Sequence, residues 1–366
     1  IRNCDWSSDV CSSDLAILNH PELELAGVWV HGEKKTGRDA GELCGGAAVG
    51  VVATRDAEAL LASDADCVVY TATADLRLME AVDDVARILR SGKNVVSSSL
   101  VSLVHPSHLG PALQDKLEDA CREGMASLFF SGIDPGFAND ILPLTLSGLC
   151  ERWSQIRIRE IVNYATYDQP EVVLGTMGFG KPMDELPILL RPGTLCVAWG
   201  GTIRLLAAGL GLELDEITQH YECLPAPRDL ETPMGTIRRG TRAALHFEVT
   251  GVVGGRPRLV VEHVTRMHDD LAPEWPRGEG GYEVIIEGVP RMVCRLDMED
   301  EHGDHAVGGV VLTATRLVNA IPSVVEASPG FLSALDLPLI TGRGLDRKST
   351  RLNSSHSSVS RMPSSA

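Results

Sequence analysis

The residues able to do chemistry cluster just after short apolar runs. Thr71, Ala72 and Thr73 follow one such run, Ser97, Ser98 and Ser99 a second, and Asp134 a third; His105 comes soon after the serines. Hydroxyls there can orient an amide group. An imidazole titrates near working pH, so His105 can polarise a carbonyl. Asp134, Tyr167 and Asp168 are candidate proton donors or acceptors. Asn163 and His263 are polar residues that can face a substrate. Plainer roles fit the same residues: a loop histidine bonded to backbone, a core or interface tyrosine, and a simple Asp134-Pro135-Gly136 turn. His302 and His305 stand three apart in the acidic run Glu299 to Asp304, which has the composition of a solvated turn, and no metal site is expected. Nine cysteines are scattered without a CxxC pair, which suits buried free thiols in a reducing compartment.

The elements that must hold these residues alternate. Leu15–Leu18 has the pattern of a helix tail, ended by Asn19-His20-Pro21. Strand patterns follow at Glu24–Val30, Val49–Ala53, Ala65–Thr71, Lys93–Ser98 and Ala126–Phe130. Between them come a helical turn at Asp39–Leu43 and helices at Asp56–Leu61, Leu76–Leu89 and Leu109–Arg122, the last two closed by Gly92 and Gly124. Apolar strands alternating with helices predict βαβ units on a parallel sheet. A barrel needs eight such units and the pattern changes near Gly132, so an open, Rossmann-like sheet is expected. In such a sheet a substrate lies outside the C-terminal strand ends.

A GxGxxG turn normally joins the first strand to the first helix and cradles a pyrophosphate. No such turn stands at a strand-to-helix junction, and the cluster Gly41–Gly50 follows the second strand instead. The first strand and glycine loop are therefore expected to be missing, with Ile1–Asp14 in their place, and weak dinucleotide binding is expected of the chain as it stands. The loop after the second strand holds His31, Glu33, Lys34, Lys35 and Arg38 where an acid would mark NAD. Those cations suit a 2′-phosphate, hence NADP; NAD and a merely solvated loop are the alternatives.

Beyond Gly132 the pattern is mixed. A helix is expected at Asn139–Leu149, an alternating antiparallel strand at Ile156–Tyr164, and helices at Glu171–Met177 and Cys196–Leu210. Long strands Ala243–Val253 and Arg258–Met267 flank Gly254-Gly255, a hairpin signal. Tyr282–Glu287, Pro290–Met298 and Ala306–Val311 continue the sheet, and Thr313–Glu326 is a last helix interrupted near Pro322. The expected fold class is α/β: a Rossmann-like domain over 15–135, an α+β substrate and dimerisation domain over 136–312, and a C-terminal helical segment, 313–345, returning to the first domain.

The chain has 366 residues, 44% of them apolar, and a formal charge of -17. Its length suggests two domains. The acidic balance disfavours nucleic acid and anionic membranes as partners. No apolar run approaching a membrane span is apparent, nor a signal peptide, so a cytoplasmic location is expected.

Several motifs in order carry a resemblance. They are Lys93-Asn94-Val95-Val96-Ser97-Ser98-Ser99 with His105-Pro106, Ser131-Gly132-Ile133-Asp134-Pro135-Gly136-Phe137, then Asp140 and Leu142-Pro143. Thr166–Pro170, Met177–Pro182 and Ala314–Pro322 follow. Over about residues 15 to 345 the chain resembles the dihydrodipicolinate reductase-like family. It is nearer the branch of 2,4-diaminopentanoate dehydrogenase and the native amine dehydrogenases than the lysine-pathway reductase. The resemblance implies hydride transfer between NAD(P)H and a C=N or C=O carbon, a homodimer, and a nicotinamide bordered by Thr71–Thr73 and Ser97–Ser99. It also implies a glutamate after the GKNV strand to handle ammonia, but Leu100–Val104 read LVSLV. The expectation is thus an oxidoreductase acting on a small carbonyl or imine compound. The alternatives are a 2,4-diaminopentanoate or amine dehydrogenase, with an acid from elsewhere such as Asp134 or Asp168, and a non-catalytic dimeric scaffold. Both ends, residues 1–14 and 346–366, resemble translated sequencing-adapter fragments and were set apart from the fold.

Overall fold

The computed structural model describes residues 8–74 and 77–344. Leu76, where one helix was expected to begin, and residues 346–366 lie outside them. Helix α1 (Ser8–Asn19) begins earlier than its apolar pattern suggests. Ser13 and Asp14, in this helix, are buried.

The first region then runs β1 (Val28–Trp29), α2 (Ala40–Leu43), β2 (Ala53–Thr54), α3 (Ala57–Leu61), β3 (Cys67–Tyr70), α4 (Leu78–Arg90), β4 (Asn94–Ser97), α5 (Pro111–Gly124) and β5 (Ser127–Phe130). Asp39 and Asp56 cap α2 and α3 by accepting from the backbone N–H groups of Gly41 and Ala59, which explains why even these short helices were legible. Helix α5 closes at Met125 in the left-handed conformation, not at Gly124. Gly124 serves a different need: a Cβ there would lie 1.8 Å from the Leu89 carbonyl oxygen, so glycine lets α4 and α5 meet.

Strands β3, β4 and β5 pair in parallel, and β14 (Gly330–Leu332) joins β5 from the far end of the chain. β1 and β2 form a separate parallel pair. Between β1 and β3 lies a slot of about 460 Å³ lined by Ile17, Leu25, Gly27, Val68 and Ile321. Within the apolar run Glu24–Val30 only Val28 and Trp29 form a ladder, with Ala53 and Thr54 of β2.

The second region comprises α6 (Ile141–Ser147), β6 (Arg152–Asn163), α7 (Thr194–Leu210), β7 (Glu216–Pro225), the small hairpin β8 (Leu230–Thr232) and β9 (Gly235–Ile237), β10 (Arg242–Val253), β11 (Arg256–Arg266), β12 (Gly281–Val289) and β13 (Met292–Asp297). Six strands form one sheet in the order β13-β12-β6-β11-β10-β7. β6 is antiparallel to β12, as expected, but parallel to β11. Gly254 and Gly255, at φ of 59° and 68°, make the β10–β11 hairpin turn. One face of the sheet packs with α7 on a core containing Ile156, Ile158, Phe247 and Val261.

Ala306–Val311 is not strand. It opens α8 (His305–Glu326), whose first N–H groups are capped by Asp304, and the helix runs through Pro322 without a break. By length and composition α8 could cross a membrane. Here it is a core helix: Leu317, Val318, Ile321 and Val324 are buried against α1 and the parallel sheet.

Candidate functional site

Alternation along β6 sends Ile156 and Ile158 to the core, and the same parity sends Glu160 there. The register then fixes its neighbours: His263 on β11 and Tyr282 on β12 both stand opposite Glu160, and Phe247 on β10 stands opposite His263. A transverse row, Tyr282–Glu160–His263–Phe247, therefore lies on the inner face of the sheet. A carboxylate so buried needs partners. Tyr282 Oη donates to Glu160 at 2.8 Å, Tyr164 Oη donates at 3.2 Å, and His263 Nδ1 lies 3.3 Å away. The imidazole stacks on Phe247, with centroids 4.5 Å apart and planes 13° from parallel.

The other side of the imidazole meets the first region. After β5 the chain turns through Gly132–Gly136 and places Asp134 Oδ2 3.1 Å from His263 Nε2. A Cβ on Gly136, at φ 151°, would sit 2.0 Å from the Gly132 carbonyl oxygen, so this tight turn requires glycine. Trp199 of α7 donates its indole N–H to Asp134 Oδ1 at 2.9 Å. Asp134 Oδ2 and His263 Nε2 form a buried ion pair at 3.1 Å.

Burial pushes the His263 pKa down, but Asp134 and Glu160 outweigh it and raise the value to about 10. The cluster is therefore two carboxylates around one imidazolium. Burial, then the Glu160 charge, hold Tyr164 and Tyr282 well above the usual phenol range, so both remain neutral donors. Asp134, Glu160 and His263 are close enough to hold a metal. Nearby, burial raises buried Asp140 to about 6, while Arg316 pulls against the shift.

A cavity of about 90 Å³ opens beside the cluster, bordered by Asp134, Glu160, Tyr164, Tyr167, Tyr282 and Gly309. Asp134, Tyr167 and His263 thus come together from distant parts of the chain. The other sequence candidates stand elsewhere. Asp168 is exposed. Asn163 donates its amide to Asp269 at 2.8 Å and borders a separate hollow of about 510 Å³. His105 faces Ser107 at 3.1 Å; burial lowers its pKa, helped by Arg204 and His108. Of the loop expected to border the substrate, Leu100, Leu103 and Val104 are core residues.

At the strand ends, Thr71, Ala72 and Ser97 are buried, Ser98 is half-buried and Thr73 is exposed. Ser99 donates its hydroxyl to the Tyr70 carbonyl oxygen and its N–H to Ser97 Oγ, each at 3.1 Å. Beyond β1, His31, Lys34 and Arg38 are exposed, and Glu33 pairs with Arg55.

Sequence reasoning missed Glu160, Tyr164, Tyr282 and Trp199 as site residues. A signal existed for Glu160: it is a charge on the core-facing parity of an otherwise regular strand. Its partners follow only from cross-strand register, which no local pattern shows.

Comparison with known proteins agrees with this architecture. Residues 137–351 match the family described as 2,4-diaminopentanoate dehydrogenase C-terminal domain. An amine dehydrogenase of Streptomyces virginiae is 45% identical over 330 residues, covering 88% of this chain and 92% of the relative. A 2,4-diaminopentanoate dehydrogenase of Acetoanaerobium sticklandii is 27% identical over 263 residues, 71% of this chain and 70% of its own. The solved amine dehydrogenase of Mycobacterium smegmatis shares the fold with a TM-score of 0.76 at 22% identity, covering 94% of this chain and 98% of its own. The chain belongs to the 2,4-diaminopentanoate dehydrogenase and amine dehydrogenase family of NAD(P)-dependent oxidoreductases.

Proposed function

We propose that the protein is an amine dehydrogenase that interconverts a small carbonyl compound and its primary amine. In the reductive direction a carbonyl compound, ammonium and NAD(P)H give the amine, NAD(P)⁺ and water. Ammonium leaves a proton on a carboxylate, ammonia adds to the carbonyl carbon, and loss of water gives the iminium that is reduced. The absence of an acid from Leu100–Val104 had favoured a carbonyl substrate without ammonia. Likeness to an amine dehydrogenase along nearly its whole length supports the amine reaction instead. The observation that carries it is the buried Asp134, held by Trp199 and His263, which supplies an acid from another loop.

The bound dinucleotide supplies the hydride. Its carboxamide end is assigned to Thr71–Thr73 and Ser97–Ser99, where backbone and hydroxyl groups turn at the parallel strand ends. Lys34 and Arg38, exposed beyond β1 and with no acidic partner among the described residues, support NADPH over NADH. A homodimer through the outer face of the six-stranded sheet is part of the proposal. There Arg295, Glu283, Arg159 and Glu262 form a ladder of alternating charge, which suits a self-complementary contact. The seven described free cysteines accord with a cytoplasmic location.

The test is a panel of aldehydes and ketones offered with NADPH, with and without ammonia. NADPH consumption that requires ammonia is expected. Equal consumption without it would return the carbonyl reductase reading, and tight cofactor binding without turnover would favour a scaffold.

A further inference from the structure

We infer that His108 is a positioning residue, clasping α7 to the loop after β4 so that Trp199 meets Asp134. The inference rests on the reading of Asp134 as the acid of the amine dehydrogenase reaction and adds a residue outside that site. The loop starts from Ser97–Ser99, proposed to border the carboxamide, and runs through the 3-10 turn Val101–Val104 to His108. His108 Nε2 is 2.9 Å from the Val197 carbonyl oxygen, and Arg204 Nε donates to Nδ1 at 3.3 Å. A guanidinium N–H only donates, so Nδ1 accepts and the ring proton sits on Nε2, directed at Val197. Burial lowers the His108 pKa, and the Arg204 charge adds to the shift against the pull of the Val197 carbonyl, so the ring is neutral at pH 7.

Val197 and Arg204 lie about two turns apart on one face of α7, with Gly200 between them. A Cβ on Gly200 would sit 2.5 Å from His108 Cε1, so glycine lets the ring settle on the helix. At the next residue, a Cβ on Gly201 would lie 2.3 Å from the Ser102 carbonyl oxygen of the same loop. Directional bonds two turns apart fix the helix along its axis and about it. Trp199 stands beside this notch. Its indole donates to Asp134 at 2.9 Å and packs on Phe247 and His263, with centroids 4.7 Å from each. That bond runs from α7 to the Gly132–Gly136 turn, so it depends on where the first region holds α7.

Fluorine NMR of protein labelled with 5-fluorotryptophan reads this without turnover, the Trp199 signal being identified by its loss in Trp199→Phe. His108→Leu and Gly200→Ala should each move the Trp199 signal and leave the other tryptophan signals in place. Gly200→Ala should fold, because alanine favours a helix interior and the atom it displaces is the end of a side chain. His108→Gln, whose amide can donate to Val197 and accept from Arg204, should keep the wild-type signal. In turnover, His108→Leu should lower kcat for amination at least about tenfold while KM for NADPH stays within about twofold. In a Trp199→Phe background it should lower kcat no further, although it still lowers the melting midpoint. A lowered midpoint with an unmoved Trp199 signal makes His108 a surface contact and overturns the proposal, as does a full kcat loss in the Trp199→Phe background. A moved Trp199 signal in a protein that aminates no carbonyl would keep the clasp and defeat the function. Amination with kcat unchanged in both His108→Leu and Gly200→Ala would keep the function and defeat the positioning role.

Discussion

Replacing His263 with Phe removes the cation between two buried carboxylates while keeping a ring to stack on Phe247. Its two ion contacts, at 3.1 and 3.3 Å, are each worth about 5 kcal/mol at an effective dielectric of about 20. Burial of the imidazolium offsets several kcal/mol of that sum. The rise in pKa from 6.5 to about 10 corresponds to a net of about 5 kcal/mol. His263 binds its proton more tightly folded than unfolded, so its contribution is fully present below 6.5 and is lost as pH rises towards 10. His263→Phe should therefore cost about 3–5 kcal/mol at pH 7, a fall in melting midpoint of roughly 10 °C. The variant should lack the decline between 6.5 and 10. Midpoints measured by circular dichroism across pH 5 to 10 check this. A variant that keeps the wild-type slope above pH 7 would refute the imidazolium assignment.

Arg38→Glu should weaken NADPH more than NADH in cofactor fluorescence titrations, since a carboxylate would face the 2′-phosphate; an unchanged ratio would leave the loop as solvated surface. Gly136→Ala should cost roughly 3 kcal/mol or more and impair amination, because φ 151° and the 2.0 Å approach to Gly132 oxygen leave no place for a methyl. Light scattering at micromolar concentration should give a dimer, and Arg159→Glu, which reverses one charge in the outer ladder, should shift it towards monomer. A wild-type monomer would end the dimer proposal.

Local signals were legible in the sequence where the chain settles its own hydrogen bonds. Asp39 and Asp56 capped helices that could be anticipated, and Gly254-Gly255 announced its hairpin. Legibility failed where a distant neighbour decides. The apolar run at Glu24 forms little strand: its described ladder is the two-residue pairing of Val28 and Trp29 with β2. β7 was missed because its half-exposed, polar alternation at a sheet edge carries no core signature. Ala306–Val311 reads as strand because a short apolar run fits either period until the Asp304 cap and the packing of the whole helix decide it. Tyr167 and His263 were named without the partner that joins them, since Glu160 meets His263 only through the parallel register of β6 and β11.

The missing acid in residues 100–104 has a packing cause. Leu100, Leu103 and Val104 belong to the core of the first region, and α7 crosses so closely that a Cβ on Gly201 would lie 2.3 Å from the Ser102 carbonyl oxygen. A carboxylate at Leu103 would be buried among aliphatic side chains with no donor, at a cost of several kcal/mol. The close crossing that excludes an acid here also anchors α7, and α7 carries Trp199 to Asp134. Tight packing on one side of the helix and a held carboxylate on the other are thus linked consequences of one contact. The acid proposed for proton transfer, Asp134, stands on the Gly132–Gly136 turn, where the Trp199 indole, the His263 ring and a glycine-only backbone fix its position.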